Sequence, residues 1–311
     1  MAELRARLRD ALARAGAVPT TGRVLSHVPQ SPAHPFAAVR LVEGTALEAR
    51  PLGPAVPLDA PVGFVDGVQR YVVAGHVGIT PVVRAVVAAA AVERVDGRLR
   101  AVAGRRAEFL VIPAGRLPPA ARAALAAADV EIVDADAGER AHPLADLVAA
   151  GETVERRREA LEQEVSRAFR AARPDAWLLV DGSLGALGQV AGPRAAGLIK
   201  SHETQFLDGA DLTLALTLPC GARSTAFRRT RGPAVDSWYL RLWPWADRDL
   251  LHGLVRVELA AGPDVTAAAD RVSRWLMAER APIARDARWD RLLYPVLEIE
   301  TLLAAQLGGW P

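Results

Sequence analysis

The chain predicts an α/β fold built on one mixed sheet flanked by helices. Three observations carry the prediction. β-rich segments come first, with a strong hairpin signal at Asp96-Gly97. A long amphipathic segment over residues 142–172 then predicts a helix. After it comes the apolar run Trp177-Leu178-Leu179-Val180, closed by Asp181-Gly182. Meander, helix, strand, and then further strands and helices is the order of one α/β domain.

Taken in order, residues 2–15 predict an amphipathic helix with Leu4, Leu8 and Leu12 on one face. A Pro- and Gly-rich segment runs from about 18 to 61, either wrapping the core or reaching toward a partner. From Gly63 the pattern becomes strand-like: Phe64-Val65 leads into Asp66, and Tyr71-Val72-Val73 with Val77-Gly78-Ile79 forms a neighbouring strand. Residues 82–95 and 98–103 flank Asp96-Gly97, giving an antiparallel meander of about three strands. Phe109-Leu110-Val111-Ile112 is a further short strand. Residues 117–128 are alanine-rich and predict a helix, with the short run 130–133 after it. Gly151 is a candidate break in the long helix. Residues 197–200 form a strand, and Trp238–Leu242 and Leu254–Leu259 alternate like half-buried strands. Helices are expected over 266–277 and from about 296 to 307, the last introduced by Tyr294-Pro295. The domain reading is a helix with a Pro/Gly-rich extension over 1–61, and the main domain over 62–311.

Composition narrows the function classes. The 311 residues are 51% hydrophobic and 24% charged, enough to bury a substantial core. Net charge is +2, so any basic footprint for nucleic acid must be local. The one cysteine, Cys220, excludes an internal disulfide framework and a cysteine-rich zinc site, and reads as a small apolar filler at a strand end. Residues 2–10 have mixed charge and no apolar core of a signal peptide. The richest apolar window, 82–92, is too short to span a bilayer. The expectation is a soluble, cytoplasmic protein with no membrane partner.

The candidate chemistry lies in carboxylates. Gly63-Phe64-Val65-Asp66-Gly67 and Val180-Asp181-Gly182-Ser183-Leu184 each place an Asp-Gly step after an apolar run. Alone, each such step is more often an ordinary strand-to-turn junction. Two of them, on strands adjacent in one sheet, would bring two carboxylates within a few ångströms. That arrangement is costly unless a cation neutralises it, and hard Mg²⁺ or Mn²⁺ ions favour oxygen ligands. Glu155, Glu159 and Glu162 share a helix face and offer a third acid, although a solvated charged face explains most of that run. Glu162 lies between core-type residues Leu161 and Val165. On the last helix, Val296, Ile299, Leu303 and Leu307 form an apolar stripe that contains Glu300 but not Glu298. An acid inside that stripe needs a partner, either a metal or a buried arginine. Lys200 is the only lysine in the chain, and a compact ammonium suits a single phosphate oxygen. His202 and Glu203 follow it.

The order of these pieces is that of a ribonuclease H-like fold. More narrowly, the chain resembles the NurA nuclease family, which works beside a HerA-type hexameric DNA-translocating ATPase in DNA end resection. The resemblance rests on Phe64-Val65-Asp66-Gly67, Leu179-Val180-Asp181-Gly182-Ser183-Leu184, Gly197-Leu198-Ile199-Lys200 and Tyr294-Pro295, and runs from about Gly63 to the C-terminus. The alternating Tyr239–Leu242 and Val255–Glu258 segments look like the family's late strands. The resemblance implies a nuclease domain over 62–311, a Mn²⁺- or Mg²⁺-dependent deoxyribonuclease that acts on DNA ends with two metal ions and is usually a homodimer. Its metal and catalytic acids map to Asp66 and Asp181. The family's helix glutamate, about nineteen residues before the second aspartate, maps to Glu162, with Glu159 as the alternative. The family tyrosine maps to Tyr294. Glu300 is the fourth acid, preferred to Glu298 on helical phase, and Lys200 and Ser183 are the candidate substrate-binding residues. Two positions depart from the family: Val68 replaces a serine after the first Asp-Gly, and Leu302 replaces a histidine eight residues after the tyrosine. Those departures keep a second function in view, a non-catalytic adaptor on a ring ATPase. A third is an actin-like or sugar-kinase-like phosphotransferase.

Overall fold

The computed structural model describes residues 2–19, 24–25, 36–139, 141–187, 192–202, 204–246, 248–281 and 289–307. The chain begins with α1 (Ala2–Arg14), then four short strands: β1 (Ala17–Pro19), β2 (Val24–Leu25), β3 (Val39–Leu41) and β4 (Ala49–Pro51). The meander is β5 (Val62–Val77), β6 (Thr80–Val95) and β7 (Arg98–Ile112). Then come α2 (Pro119–Ala126), β8 (Glu131–Asp134), α3 (Pro143–Ala172), β9 (Trp177–Asp181), α4 (Leu184–Leu187) and β10 (Ala195–Ile199). The last part holds α5 (Gly209–Leu216), β11 (Ala222–Ser224), β12 (Phe227–Arg229), β13 (Val235–Arg241), β14 (Leu254–Ala260), α6 (Val265–Glu279) and α7 (Tyr294–Gln306).

One sheet runs β3-β12-β13-β14-β10-β9-β5-β6-β7-β8. Within it, β5, β6 and β7 form an antiparallel meander, β9 lies parallel to β5, and β10 lies parallel to β9. This is the ribonuclease H-like arrangement. The antiparallel pair β13 and β14 extends it beyond β10. The Pro/Gly-rich segment enters the same sheet: β1 and β2 pair with β5, β3 with β12, and β4 with β11. Residues 20–23 and 26–35 of that segment lie outside the described residues.

Strand alternation assigns the two faces. Phe64, Val72, Leu179 and Leu198 pack in one cluster with Trp275 of α6 and with Val296, Ile299 and Leu303 of α7. Val65, Leu178 and Val180 pack on the opposite side with Val154, Leu161, Val165 and Phe169 of α3. Removing this much apolar surface from water is the main force assembling both layers. A third cluster joins Leu8 and Leu12 of α1 to Leu125 of α2.

Four local expectations are corrected. Asp66-Gly67 is not a strand end: β5 continues for ten more residues beyond Gly67, whose φ is not positive. Glycine is needed there for space, not for a turn, as the site geometry shows. Gly78-Ile79 is a hairpin turn and not strand, with Gly78 at φ 60° and Ile79 exposed. Gly151 leaves α3 unbroken, because packing of the helix's apolar stripe outweighs the roughly 1 kcal/mol cost of one helical glycine. Cys220 is exposed and fills no core. The turn at Asp96-Gly97 takes left-handed backbone at both residues, φ 50° and 73°, as a tight hairpin requires.

β13 is buried along its whole length and β14 along all but its last residue, where alternation predicts half-burial. Their polar residues are paired internally. Asp236 accepts from Arg228 Nε at 2.7 Å, Arg256 pairs with Glu258, and Arg241 donates to the carbonyls of Leu216 at 2.6 Å and Leu250 at 3.0 Å.

Candidate metal centre

Register brings the two Asp-Gly steps together. In the parallel pair β5–β9, Val65 faces Val180, so the next residues, Asp66 and Asp181, lie level on adjacent strands. Asp66 is two residues after Phe64 and Asp181 two after Leu179, so both project toward α7. β9 ends at Asp181, and β2 first meets β5 at Tyr71. Among the described residues, no strand pairs with that edge of β5 between Asp66 and Arg70. The site therefore sits at a break in the sheet.

α7 supplies the third acid. Ile299 and Val296 are buried beside Glu300, while Glu298 is exposed and hydrogen-bonded to Tyr294. Carboxylate oxygens of Asp66, Asp181 and Glu300 lie within 4.8 Å of one another. Asp66 is only 4% exposed. Its Oδ1 accepts the Gly67 N–H at 2.8 Å, and its buried Oδ2 has no hydrogen-bond partner. A buried carboxylate oxygen without a donor is costly unless a cation takes that place. Burial pushes the Asp66 carboxyl well above the usual carboxylate range. Asp181 raises it further, Lys200 opposes, and Glu300 and Glu162 add smaller increases. Lys200 Nζ lies 2.7 Å from Asp181 Oδ2 and 4.0 Å from Glu300 Oε1. The donor set, all oxygen and anionic, fits a hard divalent ion.

Glu162 lies outside this three-carboxylate group. It stands on α3, across the sheet, where it pairs with Arg158. Its carboxylate occupies the space a Cβ on Gly67 would fill. That contact explains the first glycine: Gly67 follows Val65 on the α3 face and admits Glu162 against the strand. Burial pushes Glu162 up to about 7, against the opposing pull of Arg158, and Asp181 and Glu159 add to the rise. Glu159 is half-buried and Glu155 exposed; Glu155 lies 3.9 Å from Arg158.

The second glycine does turn the chain. Gly182 has φ 141°, and its carbonyl would lie 2.7 Å from a Cβ on Gly197 of β10. Ser183 Oγ donates to Glu258 Oε2 at 2.8 Å, and the Leu184 N–H donates to the same oxygen at 2.9 Å. Ser183 thus anchors the turn that presents Asp181. Glu258 is 2% exposed and is the residue that sequence reasoning missed. Its place in the alternating Val-Arg-Val-Glu run reads as solvent-facing, and nothing in the local pattern marks it as buried.

Tyr294 is 49% exposed at the start of α7, and Leu302 is 46% exposed, outside the carboxylate group. His202 Nε2 lies 3.1 Å from the Leu254 carbonyl, outside the carboxylate group, and burial lowers its pKa against the opposing pull of that hydrogen bond. Glu203 lies outside the described residues.

No family model matches this chain, and no curated protein matches it. Among solved structures it is similar to the NurA nuclease from Sulfolobus solfataricus, with 12% identity over 83% of this chain and 88% of that one, TM-score 0.48. It is also similar to the catalytic domain of human Endonuclease V, with 15% identity over 80% and 82% of the two chains, TM-score 0.40. No helix among the described residues is long and apolar enough to cross a membrane.

Proposed function

We propose that the chain is a divalent-metal-dependent nuclease that hydrolyses phosphodiester bonds of DNA. One observation carries this reading: Asp66, Asp181 and Glu300 converge within 4.8 Å, with the Asp66 Oδ2 buried and unpartnered. Asp66, Asp181 and Glu300 would hold the metal, with Glu162 approaching from α3 as the fourth acid. Two bound Mn²⁺ or Mg²⁺ ions would supply Lewis-acid activation of water and charge neutralisation at the leaving 3′ oxygen. Lys200 lies close enough to the acids to meet a non-bridging phosphate oxygen. Glu162, whose carboxyl burial pushes up to about 7, would be suited to accept a proton at its carboxylate oxygen. Tyr294, exposed on the rim, would position the strand, and Ser183 acts through the Asp181 turn. The sequence resemblance to the NurA family extends the proposal to DNA ends as substrate, a homodimer, and a HerA-type hexameric ATPase as partner.

The test is Asp181→Asn assayed on linear single- and double-stranded DNA with Mn²⁺. Cleavage should be lost while the circular dichroism spectrum and melting curve are kept, and full activity would refute the site. A wild-type chain that cuts neither substrate yet binds the ATPase would be an adaptor instead.

A further inference from the structure

Of the 38 basic side chains, 37 are arginine; the remaining one, Lys200, stands among the acids. Its position is well fixed. It follows β10, whose Leu198 is level with Asp181 of β9, and its carbonyl accepts from Arg291 Nη1 at 3.1 Å. Its ammonium reaches Asp181 Oδ2 at 2.7 Å and comes within 4.0 Å of Glu300 Oε1. Asp181 and Glu300 are two of the three carboxylates that converge on the candidate metal position. The side chain is 20% exposed, so it is neither locked in the core nor free in solvent.

We propose that Lys200 is an internal stand-in for the divalent ion. Without metal, its ammonium offsets the repulsion among three clustered carboxylates and keeps them assembled. When an ion enters, two cations compete for Asp181 and the ammonium yields. A flexible four-carbon stem with a point charge can make that move, whereas a planar guanidinium would hold a carboxylate in a two-pronged grip. The displaced ammonium then faces the position where a phosphate would lie. Lys200 is thus a residue that tunes metal affinity, and the inference rests on the metal-centre reading above.

An ammonium that holds the same carboxylate opposes the entry of a divalent ion even at high effective dielectric, so removing it should tighten binding by roughly tenfold or more. The experiment is Mn²⁺ titration calorimetry on the full chain without DNA, comparing wild type with Lys200→Met, Lys200→Gln and Lys200→Arg. Both neutral variants should bind Mn²⁺ about tenfold tighter, melt at lower temperature in EDTA, and gain more from Mn²⁺ than wild type. Lys200→Arg should show no tightening. Unchanged or weaker Mn²⁺ affinity in a folded neutral variant overturns the proposal, since Lys200 would then be supporting the ligands and not competing with the ion. If wild type and Asp181→Asn alike bind no Mn²⁺, the metal-centre reading itself fails, an outcome distinct from the first.

Discussion

Glu162 gives the sharpest physical prediction, because a buried acid raised to about 7 links folding to pH. The perturbation is Glu162→Gln. In the unfolded chain a glutamate titrates near 4.5, and in the folded state near 7. Between those values the folded protein holds a proton that the unfolded chain has released. The group's contribution is therefore most favourable at low pH and is lost as pH rises from 4.5 to 7. The 2.5-unit difference amounts to about 3 kcal/mol in full, of which about 2.5 kcal/mol falls between pH 5 and 9. Glu162 is 6% exposed, so solvent screening removes little of this. The assay is urea unfolding of wild type and Glu162→Gln in EDTA at pH 5, 7 and 9. Other groups titrate in both proteins, so the relevant quantity is the stability difference between them. Glutamine should become more stable relative to glutamate as pH rises, by about 2.5 kcal/mol over that range. A flat difference would refute the reasoning and mean that Arg158 holds Glu162 ionised throughout.

Gly67→Ala should cost about 1–3 kcal/mol through overpacking, because the strand backbone accepts alanine but the new Cβ overlaps the Glu162 carboxylate. Adding Glu162→Ala should recover most of that loss in thermal melts; additive losses would contradict the contact. Arg223, fully buried, donates to Glu43 Oε2 at 2.7 Å and Oε1 at 2.8 Å and to Asp270 at 2.6 Å. Removing it as Arg223→Met leaves buried Glu43 with only Arg50, 3.2 Å away, and the Ala226 N–H, and should cost about 2–4 kcal/mol in chemical unfolding, less than a fully orphaned buried ion. Burial alone would raise Glu43, but the Arg223 hydrogen bonds and charge, with the Ala226 N–H, bring it down to about 2. That stabilisation is present above pH 4.5 and lost as pH falls toward 2, so Arg223→Met should lose the acid-side dependence.

Much of the fold was legible because its signals are local. Asp96-Gly97 specifies its own turn, and the stripe Val296, Ile299, Leu303, Leu307 specifies which side of α7 is buried. The same stripe separates Glu300 from Glu298 by phase alone. What was not legible depends on what lies across the sheet. Gly67 reads as a turn residue, yet its role is set by Glu162 on a helix nearly a hundred residues later. The polar positions of β13 and β14 read as solvent-facing, yet α6 covers one side of the pair and α5 with its neighbouring loops the other. Arg241, Arg256 and Glu258 are therefore buried among partners that periodicity cannot name. Alternation shows that two faces differ; it does not show that either is wet.

The two Asp-Gly steps differ in kind, and the difference has a consequence for the site. At Asp181 the strand stops, Gly182 turns the chain, and Glu258 fixes the turn through Ser183 and Leu184. At Asp66 the strand runs on, and only the neighbouring strand is missing. One carboxylate thus comes from a strand end and the other from the interior of the adjacent strand, at the point where pairing lapses. Asp66 is held by a continuous 16-residue strand paired along its other edge, so its backbone has little freedom to move. Asp181 closes β9, where it pairs with Leu198 of β10 and the Gly182 N–H donates to the Leu198 carbonyl at 2.9 Å, so its backbone is held by the strand on that side and by the turn that follows. Both backbones are thus fixed by the sheet, and the two acids that Lys200 touches, Asp181 and Glu300, meet Asp66 across it through their side chains.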